Sequence, residues 1–224
     1  MDADKFADFW AYYRGTPGQQ AGVRKLFSAL GPELRDEKAE WVRLYRSAPT
    51  APAAPLKVQW FSQLDNSSGT GYRECFSSSC AMLAAFHGRV AGDDEYNRVR
   101  ARYGDTTDAQ AQLAALRSLG LRADFRTDGT RDILAAEVGA GRPVAVGWLH
   151  KGPASAPTGG GHWSVVIGTS PEGVTMNDPN GEADLVNGGY TANRNGARLL
   201  YSWRNWEPRW RPGGEGGWML TCKP

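Results

Sequence analysis

The sequence predicts an α+β fold, in which helices come first and antiparallel strands follow. Two observations support this prediction. Apolar residues recur at helical spacing through most of residues 1–119, whereas residues 121–222 contain short β-branched and aromatic runs separated by Gly, Pro and Asn. The chain has 224 residues, of which 41% are hydrophobic, and this is enough for one good-sized domain and a smaller appendage.

The first 47 residues predict a small all-α appendage. Three short amphipathic patterns succeed one another there and are interrupted by Gly and Pro. Packing between helices explains their aromatic residues, and a surface that docks on a cell wall or a partner is the alternative. Residues 48–56 are rich in Pro and Ala, which favour an extended linker, so we assign the main domain to residues 57–224.

The main domain is predicted to open with a short strand at residues 57–63, a loop, and an apolar helix that begins at Cys75. Asp108 and the threonines before it are N-cap candidates for a later helix. Residues 180–198 are rich in Asn and Gly and are expected to form a surface loop. The remaining patterns predict helices at 93–102, 108–119 and 131–139, and strands at 121–126, 142–149, 162–168, 173–178, 199–203 and 217–222.

Cys75 is the candidate nucleophile because it stands at the predicted start of the buried helix. At a helix N-terminus, the unpaired N–H groups and the helix dipole favour a thiolate over a thiol, and a thiolate is a nucleophile near neutral pH. The alternative is that Cys75 is a small buried hydrophobe, as most cysteines are. Cys80 lies deeper in the same apolar run and is assigned that structural role.

A catalytic thiol needs a base, and His162 is the histidine best placed to supply one. It opens a predicted strand directly after three glycines, which would leave the floor of a cleft open to a substrate backbone. His150, at the end of the preceding strand, is the reserve candidate. His87 lies about 18 Å along the helix from Cys75, at roughly 1.5 Å per residue, and is too distant to share its proton.

Asp178 is the candidate that would orient the base. It ends the strand after that of His162, and in an antiparallel pair joined by a turn the start of the first strand lies beside the end of the second. Taken alone, the sequence Asp-Pro-Asn-Gly is also a turn signal. Asn177 is a weaker candidate because its side chain should point to the opposite face. Gln63 is the candidate donor to an oxyanion, beside the backbone N–H of Cys75.

Taken together and in this order, these segments resemble the papain-like cysteine peptidases related to the bacteriocin-leader (double-glycine) peptidases. The resemblance covers about residues 57–224 and is carried by residues 63–66 (QLDN), 75–82 (CFSSSCAM), 160–163 (GGHW) and 177–179 (NDP). It implies a papain-like fold, with Cys75 as nucleophile, His162 as base, Asp178 as orienting residue and Gln63 as oxyanion donor. Further segments, at residues 104–108, 141–144 and 150–153, resemble the phage-borne branch of that family.

Composition narrows the classes of partner and cofactor. Three cysteines do not make an even disulfide framework, so we expect free thiols. Residues 1–10 lack the apolar core of a signal peptide, and no window is long enough for a membrane span, so we expect no secretory signal and no membrane insertion. The net charge of +2 is dispersed along the chain, which gives no indication of nucleic-acid binding.

No metal or other cofactor is expected. The cysteines and histidines have no close metal-ligand spacing. The glycines at 159–161 do not lie between a strand and a helix N-terminus, as a phosphate-binding loop would require.

These observations predict a cysteine endopeptidase or amidohydrolase of the Cys-His-Asp type. The resemblance implies a phage-type lytic enzyme that cleaves peptidoglycan peptides, either an endolysin in the host cytoplasm before lysis or a component of the virion. No transporter domain is attached, so we do not expect leader processing. We expect a peptidoglycan or peptide substrate, and a monomer or a component of a phage particle. Two alternatives remain open: a non-catalytic structural or docking protein of a phage particle that retains the peptidase fold, and transglutaminase-type acyl transfer with the same triad.

Overall fold

The structure is a computed structural model that describes residues 54–224. The predicted helical appendage at residues 1–47 and most of the predicted linker lie outside these residues. The helices are α1 (Cys75–Phe86), α2 (Asp93–Arg100), α3 (Ala109–Ser118), α4 (Arg131–Gly139) and α5 (Trp203–Trp210). The strands are β1 (Arg122–Gly129), β2 (Val144–Trp148), β3 (His162–Thr169), β4 (Gly173–Asn177), β5 (Glu182–Ala183), β6 (Tyr190–Ala192), β7 (Leu199–Ser202) and β8 (Gly217–Lys223).

Six strands form one antiparallel sheet in the order β1-β8-β2-β3-β4-β7. The last strand of the chain, β8, therefore lies between β1 and β2. Strands β5 and β6 pair with each other in a small separate ribbon. Helices that precede or flank an antiparallel sheet are the predicted α+β class, so the fold class is confirmed.

The sheet is packed on both faces. Along β3, Val165 and Ile167 belong to a core shared with α1 and α3, while Val166 belongs to a second core shared with α4 and α5. This alternation follows from the two-residue period of a strand. Because both faces are covered, β2 and β3 are buried almost throughout and read in sequence as continuous apolar runs.

Helix α1 is buried from Phe76 to Ala84 and is the central helix of the first core. Two of its three serines, Ser77 and Ser78, form hydrogen bonds within the protein, whereas the buried Ser79 hydroxyl has no partner among the described residues. The Ser77 hydroxyl, for example, lies 2.7 Å from the Thr106 hydroxyl and accepts from the Gln112 amide at 2.9 Å. The sequence predicted both the start of this helix at Cys75 and its burial.

The N-cap prediction for α3 is confirmed. The side chain of Asp108 accepts a hydrogen bond from the backbone N–H of Gln110 at 2.8 Å, which satisfies one of the free donors of the first turn.

Three local predictions differ from the structure. Residues 57–62 form no strand, because the chain there bonds to side chains and strand ends rather than to a continuous ladder. Thus Asn177 Nδ2 donates to the Val58 carbonyl at 3.1 Å, and Gln63, in a 3₁₀ helix (Gln63–Asp65), donates its N–H to the Pro179 carbonyl at 2.9 Å. Helix α5 was not predicted, and the expected loop at 180–198 contains the β5–β6 ribbon.

All three cysteines are free, as their number predicted, with Cys80 and Cys222 buried and Cys75 half-buried. Burial raises the pKa of the Cys80 thiol well above its usual value and that of Cys222 to about 12. These two thiols are therefore chemically inert in the folded protein. Across residues 54–224, every helix is too short or too polar to cross a membrane.

Candidate active site

Cys75 is the first residue of α1 and lines a cavity of about 770 Å³. Its position gives the sulfur access both to the cavity and to the free N–H groups of the first helical turn. Helix α1 is fixed at this end by the buried residue Glu74, whose backbone carbonyl accepts from the Ser78 N–H at 2.9 Å. The candidate nucleophile is thus held on a rigid element at the edge of the core.

His162 and Asp178 meet as the strand pairing predicted. Strands β3 and β4 pair antiparallel with Val165 opposite Asn177, so the beginning of β3 lies beside the end of β4. His162 Nε2 is 2.8 Å from Asp178 Oδ1, and both side chains are buried, with 4% and 0% of their surface exposed. The pair opens onto the cavity through His162, which lines it together with Cys75.

The Asp178 carboxylate is held by donors other than His162. Its Oδ1 accepts from the Asn180 backbone N–H at 2.9 Å, and its Oδ2 accepts from the Tyr201 hydroxyl at 3.0 Å. The Trp60 indole N–H donates to the Asp178 backbone carbonyl at 2.7 Å. These contacts supply the hydrogen bonds that a buried carboxylate requires, and they fix its orientation toward the imidazole.

The surroundings of His162 favour its protonated form. Burial lowers the pKa of the imidazole, but the negative charge of Asp178, the hydrogen bond to it and the interaction with Cys75 together raise that pKa to about 10. At neutral pH the ring is therefore an imidazolium. Since Asp178 occupies Nε2, Nδ1 is the nitrogen left for the Cys75 sulfur, and the arrangement suits a thiolate–imidazolium pair.

Gln63 lines the same cavity as Cys75. Its amide nitrogen donates one hydrogen to the Gly71 carbonyl at 2.8 Å, which leaves the second amide hydrogen for another acceptor. Gly71 must be a glycine, because a Cβ there would lie 2.1 Å from the Gln63 carbonyl oxygen. The packing of this loop sets the position of Gln63, and its role as oxyanion donor stays a prediction.

The two reserve candidates are placed differently. The ring of His150 lies 5.8 Å from that of His162, and burial, followed by the positive charge of His162, lowers the pKa of His150 to about 4. Its nitrogens make no hydrogen bond to the Asp178 carboxylate. Asn177 donates to Val58 and accepts from the Arg198 backbone N–H at 2.9 Å, so both ends of its amide have structural roles.

Four residues around the site were not identified from the sequence. Tyr201 and Trp60 hold Asp178, and Trp148 and Tyr190 pack their rings edge-on against His162 at 5.2 and 5.6 Å. Tyr201 approaches because β7 pairs with β4, which brings Val174 opposite it. Nothing in the sequence gives this strand order, so no local signal could have identified the tyrosine.

Among residues 54–224, no group of three His, Cys, Asp or Glu side chains is arranged to hold a metal ion.

The sequence model of the papain-like cysteine protease AvrRpt2 family matches residues 56–187, more than half of the chain. The chain belongs to this family. All four predicted site residues of the protease, Gln63, Cys75, His162 and Asp178, fall within the matched region. A comparison with curated protein sequences gave no match.

The fold of the protease is shared with one of three solved structures compared with it, and the other two align more weakly. A C39-like peptidase from Bacillus anthracis aligns with a TM-score of 0.54 and 16% identity, over 77% of this chain and 98% of that one. A double-glycine motif protease from an AMS/PCAT transporter, solved with its leader peptide, has a TM-score of 0.47 and 19% identity over 79% and 99% of the two chains. The peptidase domain of Streptococcus ComA has a TM-score of 0.49 and 16% identity over 75% and 98%.

Proposed function

We propose that this protease hydrolyses amide bonds with Cys75 as nucleophile, His162 as acid and base, and Asp178 as the residue that orients the imidazole. One observation carries the proposal: the buried His162–Asp178 pair and Cys75, which are far apart in sequence, open onto one cavity. A protein that kept the fold only for docking would have no need of a carboxylate that two further donors hold behind a histidine.

The mechanism follows from these positions. The Cys75 thiolate attacks the amide carbon, and the negative charge moves to the carbonyl oxygen, where the Cys75 backbone N–H and the Gln63 amide are the proposed donors. His162 then gives its proton to the leaving amine as the C–N bond breaks. Water, deprotonated by the now neutral His162, attacks the thioester and releases the acid and the thiolate.

The proposed substrate is a peptidoglycan peptide, and the proposed role is that of a phage-type lytic enzyme. Residues that resemble the phage-borne branch of the double-glycine peptidases support this proposal. The cavity adds support, because its rim carries two exposed aromatic rings, Tyr72 and Trp218, with 77% and 54% of their surface accessible. Such rings provide flat apolar faces against which peptides and sugars pack. The proposed locations are the host cytoplasm before lysis, or the virion.

Digestion of purified peptidoglycan tests the proposal. The wild-type protein is expected to release soluble fragments with new amino groups, which mass spectrometry would assign to one bond of the stem or cross-link. Cys75→Ala should release none while unfolding at the wild-type temperature. Release by that variant at the wild-type rate would exclude Cys75 as the nucleophile. Absence of release by the wild type, with cleavage of other peptides, would reject peptidoglycan and keep the peptidase.

A further inference from the structure

His150 occupies the wall of the active-site cavity next to His162, and no step of the proposed mechanism uses it. The loop that carries it is held firmly from inside the protein. The buried guanidinium of Arg209 donates to the carbonyls of Leu149, Lys151 and Gly152, at 3.2, 3.2 and 2.8 Å. Since these carbonyls flank His150 on both sides, they hold the backbone from which its ring projects.

The hydrogen-bonding state of His150 follows from its burial. Nδ1 is buried and has no hydrogen-bond partner among the described residues, so Nε2 is the ring nitrogen left to face the cavity. The ring is neutral, since burial and the charge of His162 lower its pKa to about 4. A buried N–H without an acceptor is rarer and more costly than a buried bare acceptor. The hydrogen therefore resides on Nε2, and His150 presents a donor to the cavity.

The charges around this donor favour an anionic acceptor. Protonated His162, Lys151 and Arg209 all act on the His150 ring with positive charge. The negative charges that oppose them belong to Asp178, which is fully buried and already accepts three hydrogen bonds, and to the proposed Cys75 thiolate, which faces Nδ1 of His162. Glu215 also borders the cavity but is exposed to water. A carboxylate at Nε2 would meet a donor within a region of positive potential.

The glycine at position 159 leaves this donor uncovered. A Cβ there would lie 3.3 Å from Lys151 Cγ and 3.5 Å from His150 Cε1, so any side chain would extend over the edge of the imidazole. Gly159 has φ of 113°, a value that glycine adopts readily. The open floor predicted from the three glycines thus lies over His150 as well as in front of His162.

We propose that His150 Nε2–H binds a carboxylate on the leaving part of the substrate and makes His150 a specificity-determining residue of the protease. His162 must reach the leaving amine to protonate it, so the leaving group passes through the part of the cavity that surrounds His162, where His150 lies. The inference rests on the proposed amide hydrolysis. The carboxylate is either the chain terminus of a short leaving peptide or an acidic side chain on the first residue of that peptide.

Acyl transfer from a small ester tests this carboxylate subsite at His150. When an added amine attacks the thioester, it reverses the step in which the amine leaves, so it must occupy the same part of the cavity. Benzyloxycarbonyl-glycine p-nitrophenyl ester acylates the thiol and releases nitrophenol. An added amine then attacks the thioester carbon, its proton passes to His162, and the C–S bond breaks to restore the thiolate. Glycylglycine is compared with glycylglycinamide for a terminal carboxylate, and aspartic acid α-amide with asparagine amide for a side-chain carboxylate. The ratio of transfer to hydrolysis is measured for each amine.

We expect the wild type to favour the carboxylate member of at least one pair by about tenfold, as a hydrogen bond to a charged group would give. His150→Leu should abolish this preference, and His150→Gln, which keeps an N–H at the position of Nε2, should restore most of it. Lys151→Gln should weaken the preference. Its matched control is Lys57→Gln, an exposed lysine outside the cavity lining, which should retain the wild-type ratio.

Equal ratios in the wild type and His150→Leu, with the nitrophenol burst intact in both, would overturn the inference. The burst itself reports whether each variant has folded with a working nucleophile. If the wild type gives no burst, the proposed hydrolysis fails, and the subsite is tested separately by alkylation of Cys75. The rate with iodoacetate relative to iodoacetamide should then fall in His150→Leu and persist in His150→Gln, and an unchanged ratio would again reject the site.

Discussion

Asp178→Asn tests the electrostatic basis of the site with little change of shape. The substitution removes the charge that raises the pKa of His162, and the amide oxygen can still accept from His162 and from the Asn180 N–H. At the position of Oδ2, the new amide N–H can donate to the Tyr201 hydroxyl, which in the wild type donates to Asp178. We therefore expect a folded variant whose imidazole has the same orientation and a lower pKa.

The magnitude follows from the raised pKa. An increase from 6.5 to about 10 corresponds to on the order of 5 kcal/mol in favour of the imidazolium, at about 1.4 kcal/mol per pKa unit. The interaction with Cys75 supplies part of this free energy, so the loss of the Asp178 charge removes only the remaining part. The sign is fixed: the reactive pair needs a protonated ring, and the wild type loses that proton as the pH rises through about 10. In Asp178→Asn this loss should move toward neutral pH.

The assay is the rate of Cys75 alkylation by iodoacetamide as a function of pH, with an NMR titration of the His162 ring on the same samples. The wild-type rate should reflect the ion pair up to about pH 10. In the variant, the ion pair should be lost at a pH at least one unit lower than in the wild type, while the alkylation rate near pH 6 changes less. An unchanged His162 titration in Asp178→Asn would refute the electrostatic argument. A variant that unfolds would show this in its circular dichroism, and Asp178→Glu would then serve instead.

Four further substitutions separate catalytic from structural roles. Cys80→Ser should lower the unfolding free energy by about 1–3 kcal/mol, since a hydroxyl costs more to bury than a thiol in a largely apolar core, yet retain turnover; an inactive but stable variant would contradict the assignment of Cys75 as nucleophile. His162→Ala should slow alkylation of Cys75 at pH 7 at least a hundredfold and His150→Ala no more than a few-fold, and the reverse order would make His150 the base. Arg209→Met should lower the unfolding free energy by about 3 kcal/mol or more, because buried carbonyls lose their donor; a value within about 1 kcal/mol of the wild type would show that the loop is held by other contacts.

Much of the site could be predicted because its parts are fixed by local pattern. A glycine- and serine-rich loop followed by an apolar run determines that a buried helix starts at Cys75. A strand, a turn and a second strand determine that His162 and Asp178 become neighbours, since antiparallel pairing joins the start of one strand to the end of the next. These inferences need only the periods of helix and strand and the positions of the turns.

The rest depends on the order of strands, which local pattern does not encode. Strand β8 enters the sheet between β1 and β2, and β7 adds to β4, so Tyr201 comes to Asp178 from a distant part of the chain. Helix α5 was missed because Pro208 lies inside it, although its three tryptophans recur at helical spacing and pack in the second core. The segment before Gln63 has β-forming residues but pairs with no strand.

Glu74, the residue before α1, carries a negative charge that would oppose the proposed activation of Cys75. Its carboxylate is 2% exposed and accepts from Asn66 Nδ2 at 2.6 Å, Ser68 Oγ at 2.9 Å and Thr70 Oγ1 at 2.8 Å, but forms no ion pair within the described residues. This negative charge lies next to Cys75 at the same helix N-terminus, so it competes with a thiolate for the positive end of the dipole.

Glu74→Gln should therefore make Cys75 more reactive and the protein less stable. Removal of the charge favours the thiolate, so alkylation by iodoacetamide should reach half its maximal rate at a lower pH than in the wild type. The N–H groups of the new amide would face donors that now bond to the carboxylate. These donor–donor contacts cost about 1–3 kcal/mol of unfolding free energy. Asp132→Asn, in the exposed first turn of α4, is the control for loss of one charge. If Glu74→Gln left the alkylation profile unchanged, the charge of Glu74 would be fully screened by its donors, and its role would be only to hold the loop.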